Sequence, residues 1–174
     1  MIPVTSPPLT SNTFDATRLE GHDLLYIDLH GWPGAPVWLG QSALDTIVER
    51  RNVALTVEQI GNISLLGTVI FAATCYLADD ESPMLDALLD AGARYVIGGE
   101  GINWNGMHNP IGAGLLGQWL RGGMQLGIEP LRALALAKQR VSLSLVQYRL
   151  RGMNAQVTAA RDALAFRAYE RRKQ

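Results

Sequence analysis

Cys75 is the only cysteine among 174 residues, and it closes a short apolar run, Val69-Ile70-Phe71-Ala72-Ala73-Thr74. A thiol attacks as its thiolate, so a nucleophilic cysteine needs a base within reach. His30 is the candidate. An imidazole takes the thiol proton and later returns it to a leaving amine. Gly31 follows it, and glycine lets a backbone N–H approach a ligand. Together with the N–H of Cys75, that group would stabilise a tetrahedral oxyanion. Asp28 lies two residues before His30, on the same face of an extended strand. It either orients the imidazole or pairs elsewhere. A free cysteine on its own is commonly a small buried hydrophobe, so the pair carries more weight than either member. A zinc site is the poorer alternative. It would need His22 or His108 with Cys75 and a carboxylate, and no close ligand spacing supports it.

Two strands must place these side chains. Residues 24–29 form a nearly continuous apolar run that ends at His30-Gly31 and Trp32-Pro33-Gly34, so His30 stands at a strand tip. The run before Cys75 has strand length and strand residue types, and Ala78-Asp79-Asp80-Glu81 follows as an acidic loop. Ser82 then caps a helix with Pro83 in its first turn. Leu85, Leu88 and Leu89 make its buried stripe, and Gly92 stops it. Residues 94–97 make the next strand, ending at Gly98-Gly99-Glu100-Gly101. A strand–helix–strand unit with such a crossover is parallel and right-handed. His30 and Cys75 therefore belong on one rim of the sheet, where ligands enter open α/β folds.

The rest of the chain supplies a leader and helices. Pro3, Pro7 and Pro8 mark residues 1–14 as extended or disordered, and 15–21 read equally as a helical turn or a loop. Residues 37–39 suit a short strand and 42–50 a helix, and Thr56 suits the N-cap of a brief helix. A loop with Trp104, Asn105 and His108 precedes a glycine-bearing helix over 111–120. Pro130 opens another helix. Residues 141–150 fit either an alternating strand or a helical stripe. Gly152 breaks that segment, Thr158 is read as the cap of a last helix, and the basic run Arg171-Arg172-Lys173 reads as a solvated tail.

With 48% hydrophobic residues, 18% charged residues and a net charge of −1, the chain has no overall basic field for nucleic acid or anionic membrane. It shows no apolar run of the roughly 18 residues a membrane span needs. No signal-peptide pattern opens it. One cysteine excludes an internal disulfide and points to a reducing, cytoplasmic setting.

The ordered series Leu25-Tyr26-Ile27-Asp28-Leu29-His30-Gly31, Leu55-Thr56 and Val69-Ile70-Phe71-Ala72-Ala73-Thr74-Cys75 resembles the caspase-like cysteine peptidases of clan CD. The histidine-to-cysteine spacing is similar to that of caspases, although Ala73-Thr74-Cys75 replaces the caspase Gln-Ala-Cys. The CHAT-domain branch is the closer likeness, carried by Leu85-Asp86-Ala87-Leu88-Leu89-Asp90-Ala91-Gly92-Ala93-Arg94-Tyr95-Val96-Ile97-Gly98 and by the helix from Pro130 to Ala137. Separase and gingipain are more distant. The likeness spans about residues 22–140.

This resemblance implies a three-layer α/β/α fold with a mainly parallel sheet. It divides the chain into an irregular leader (1–21), a caspase-like domain (22–150) and a C-terminal helical extension (151–174). It implies cofactor-free peptide-bond hydrolysis by a Cys75–His30 dyad, with Gly31 as the oxyanion glycine. Many relatives prefer a basic P1 residue, for which Glu100 is the best-placed carboxylate and Asp79 and Asp80 are alternatives. Complete relatives carry further βα units before the histidine strand, whereas the 23 residues before Leu24 read here as mostly irregular. The sheet edge is then expected to be completed by a partner chain, a dimer mate or an upstream region. A protein or peptide is the expected substrate. A catalytically silent interaction module and a non-peptidase thiol hydrolase are the alternatives.

Overall fold

Apolar runs of strand length and amphipathic helices alternate along the chain, and they assemble around one open sheet. The computed structural model describes residues 4–6, 9–40, 53–79, 81–104 and 110–170. Its strands are β1 (Leu24–Ile27), β2 (Val37–Leu39), β3 (Val53–Thr56), β4 (Val69–Ala72), β5 (Tyr95–Gly98) and β6 (Arg167–Tyr169). Its helices are α1 (Val57–Gly61), α2 (Pro83–Asp90), α3 (Gly112–Gln125), α4 (Pro130–Leu150) and α5 (Asn154–Leu164). The main sheet runs β1-β4-β5-β6. The first three strands are parallel and β6 is antiparallel to β5. β2 and β3 form a separate antiparallel pair.

A central strand of the sheet buries both faces. All four residues of β4 are buried, as in a parallel strand covered on both sides. Ile70, Ala72 and Val96 pack with Trp38, Leu55, Ile60, Met84 and Leu88, on the side of β2, β3, α1 and α2. Val69, Phe71 and Ile97 pack with Leu116, Leu120, Ala137, Val141, Ala160 and Phe166, on the side of α3, α4 and α5. The result is a mixed α/β fold with a mostly parallel open sheet between helices. α3 comes so close to the sheet that a methyl on Gly117 would overlap the Tyr26 ring and lie 2.6 Å from Phe71 Cε1. Among the described residues, β1 ends the sheet: along Leu24–Ile27 its outer edge pairs with no strand, and just beyond, His30 bridges to Leu39 of β2.

Local signals act as their chemistry requires. The Thr56 hydroxyl accepts from the Gln59 N–H, and the Gln59 side chain reaches back to the Thr56 N–H, which completes a capping box. Ser82 caps α2, with Pro83 in its first turn. Gly92, just past the C-cap of α2, takes φ +100°. Asp15 caps a 3-10 turn over Ala16–Leu19, and Gln59 Nε2 donates to the carbonyls of Ser11 and Phe14, which ties that part of the leader to α1.

Three local readings change or resolve. Residues 141–150 are helical and continue α4. Val141 is buried while Leu143 is 60% exposed, so the alternating-strand reading fails and the helical stripe stands. Thr158 lies inside α5 and its hydroxyl donates to the Asn154 carbonyl, so it is not a cap. The chain after α5 turns into β6, where a helical extension is the sequence reading. Phe166 is fully buried against Phe71, ring centroids 5.4 Å apart, and this packing draws the segment onto the sheet. The helix expected over 42–50 and the basic run 171–173 lie outside the described residues.

Candidate functional site

The site is set by the register of two strands. Leu24 aligns with Val69, Leu25 with Ile70, Tyr26 with Phe71 and Ile27 with Ala72. Each pair is 45 positions apart, as Leu24 and Val69 show, and the same offset separates His30 from Cys75. The two chain exits stay side by side beyond the strands. The Ala73 N–H donates to the Ile27 carbonyl at 2.8 Å. A methyl on Gly31 would overlap the Cys75 carbonyl oxygen and sit 2.7 Å from Thr74 Cγ2, so only glycine fits there. Gly31 is buried, and His30 and Cys75 are half-buried. The His30 backbone exchanges two hydrogen bonds with Leu39, each 2.8 Å, which pins the exit of β1 against β2.

Cys75 itself is gripped by the loop after β5. The Asn103 N–H donates to Cys75 Sγ at 3.3 Å, and the thiol donates to the Asn103 carbonyl at 3.6 Å. Asn103 Nδ2 donates to the Thr74 carbonyl at 2.7 Å. Asn103 is 9% exposed. Asn103 Oδ1 and Thr74 Oγ1 are buried with no hydrogen-bond partner among the described residues. Tyr76, next to the cysteine, holds φ +59°, a left-handed conformation that is strained for a bulky residue. Its N–H is held by the Gly101 carbonyl at 2.7 Å. The Ala78 N–H reaches the Gly99 carbonyl at 3.2 Å. The loops after β4 and β5 are thus joined by two backbone–backbone bonds and by the bonds of Asn103 to Thr74 and the sulfur.

The carboxylates divide by position. Asp79 Oδ1 accepts from the Gly101 N–H at 2.8 Å, so it braces the same loop pair. Glu100 is exposed and pairs with Arg167 of β6 at 3.7 Å. Burial raises the Tyr169 phenol, and the charges of Glu100 and Asp79 add to that against Arg167, which places both acids around the end of β6. Asp28 is exposed. Tyr26 is 36% exposed, and the partial burial of its ring pushes the phenol up, with the Asp28 charge adding to it. Asp80 lies outside the described residues, as does His108. His22 Nε2 meets the Arg18 carbonyl at 3.1 Å, on the exposed surface. Among the described residues, no three His, Cys, Asp or Glu side chains gather as metal ligands, and no helix is long and apolar enough to cross a membrane.

Trp104, Asn105 and His108 stand out in the sequence of this loop, and Asn103 does not. Nothing in the spacing marks it. The indirect signal is Gly99, where a methyl would lie 2.8 Å from Asn103 Oδ1; Gly101 has open space around it and instead takes φ +70°. Compared with known proteins, the chain matches no family model, no curated protein and no solved structure.

Proposed function

We propose that the chain is a caspase-like cysteine endopeptidase of the CHAT type, with Cys75 as nucleophile and His30 as base. The observation that supports this reading is the register of β1 and β4, whose paired residues stand 45 positions apart, as His30 and Cys75 do in the sequence. His30 takes the thiol proton and the thiolate attacks a peptide carbonyl. The N–H groups of Gly31 and Cys75 receive the oxyanion. His30 then protonates the leaving amine, and water cleaves the thioester. A sheet edge at β1 suits completion by a partner strand or an upstream region.

Labelling with peptide electrophiles bearing Arg, Lys, Asp or Leu tests this. The expected result is one adduct per chain by intact mass, absent in Cys75→Ser and slowed about 100-fold or more in His30→Ala. Fluorogenic substrates with the same four residues then give the P1 preference. If Glu100 holds a basic P1 side chain, Glu100→Gln weakens Arg and Lys substrates selectively, and equal loss across the panel rejects that role. Turnover of small esters without peptides would point to a non-peptidase thiol hydrolase.

The grip of Asn103 on the sulfur favours one further reading, a silent binding module in which the thiol is a structural group. No adduct in a folded sample supports it.

A further inference from the structure

The layer of α3 and α4 carries a second surface, far in character from the cysteine rim. α4 turns Pro130, Ala133, Leu134, Ala137 and Val141 into the core. On its outward side stand Leu136, Leu143 and Leu150, exposed by 41, 60 and 83%, with Val146 beside them at 55%. Seven residues return to nearly the same side of a helix, so these side chains form one seam roughly 20 Å long. Scattered surface leucines need no explanation. A heptad-spaced row does.

Along α3 and α4 the charge is nearly all of one sign. Residues 112–151 contain six Lys and Arg side chains and a single acid, Glu129. Glu129 is already engaged, accepting from the Leu131 and Arg132 N–H groups and pairing with Arg94 at 3.2 Å. Arg132, Arg140 and Arg149 of α4 are exposed. Arg140 lies over the Trp119 ring of α3, 5.2 Å from its centroid. Trp119 is itself 45% exposed, and the stack holds that guanidinium beside the seam.

We infer that this face of α4 docks an acidic amphipathic helix of a partner protein, with leucines in the seam and Glu or Asp against the flanking arginines. The occupant follows from the charges and the width. A second copy of the chain would bring arginines against arginines. Nucleic acid would neutralise the arginines and leave the leucines in water. A membrane surface calls for a broader apolar face than one narrow seam. The inference is independent of the proteolysis reading.

The probe is a labelled three-heptad peptide with Leu at a and d and Glu at the flanking e and g positions, titrated with the full chain by fluorescence anisotropy. Saturable binding is expected. It weakens at least about tenfold, one decade of affinity, in the Leu143→Ser/Leu150→Ser variant, and several-fold in Arg140→Gln and at raised salt. These side chains are exposed, and circular dichroism checks that the variants fold. Four results would overturn the proposal: no saturable binding; equal binding of a control peptide with Gln for Leu, or to the leucine variant; leucine-dependent dimerisation without peptide binding; or leucine-dependent sedimentation with phosphatidylserine vesicles in place of peptide binding.

Discussion

At the residue scale, the closest packing in the site is between Gly31 and Cys75. Gly31→Ala must push its methyl into the Cys75 carbonyl and Thr74. The expected loss is about 1–3 kcal/mol of stability by urea unfolding, together with slower labelling of Cys75, because the two strand exits are forced apart. Asn103→Ala removes the buried donor to the Thr74 carbonyl. A loss of roughly 1–3 kcal/mol is expected from the carbonyl left without its partner, and unchanged stability would deny Asn103 its structural part. The Glu100–Arg167 pair is exposed at both ends and contributes little to stability. Under the proposed function, Arg167→Ala frees the carboxylate, so turnover of Arg substrates rises while Leu substrates are unaffected. Tyr26 gives an alkaline signature. Its phenol is raised above the ordinary 10.0, so above that pH the unfolded chain loses a proton that the folded chain keeps. Stability therefore declines as pH rises past about 10. Thermal melts should show this decline in the native chain and a shallower one in Tyr26→Phe.

At the scale of elements, the turn and cap chemistry was readable because it is local. Thr56, Ser82, Pro83, Gly92 and Pro130 each act within a few residues of their position in sequence. The three parallel strands were readable because the apolar runs are short, rich in β-formers and bounded by glycine or polar loops. β6 was not. It is a three-residue strand after a helix, and its place is fixed by Phe166 meeting Phe71 from far along the chain. Asn103 was hidden for a similar reason, since its contacts with Thr74 and Cys75 depend on how two loops meet. Phe166→Ala tests how far the last strand belongs to the core. A loss of about 3–5 kcal/mol is expected, where a loosely attached extension would show almost none. Thr56→Ala, which breaks the capping box, is expected to lower stability by about 1 kcal/mol.

At the scale of the whole molecule, β4 serves both cores, with Ile70 and Ala72 toward α1 and α2 and Val69, Phe71 and Ala73 toward α3, α4 and α5. The leucine seam of α4 lies outside both, exposed to solvent. The seam and the cysteine rim can therefore be altered separately, and the exposed leucine variants should leave labelling of Cys75 unchanged. The clustering of cations between residues 112 and 151 has a further result. Positive and negative charges almost cancel in number but not in location, which gives the molecule a large dipole moment. Mildly alkaline chromatography would reveal it: a chain of net charge −1 should still be retarded on a sulfonate resin, bound by one side, and Arg132→Gln with Arg149→Gln should bring it into the flow-through.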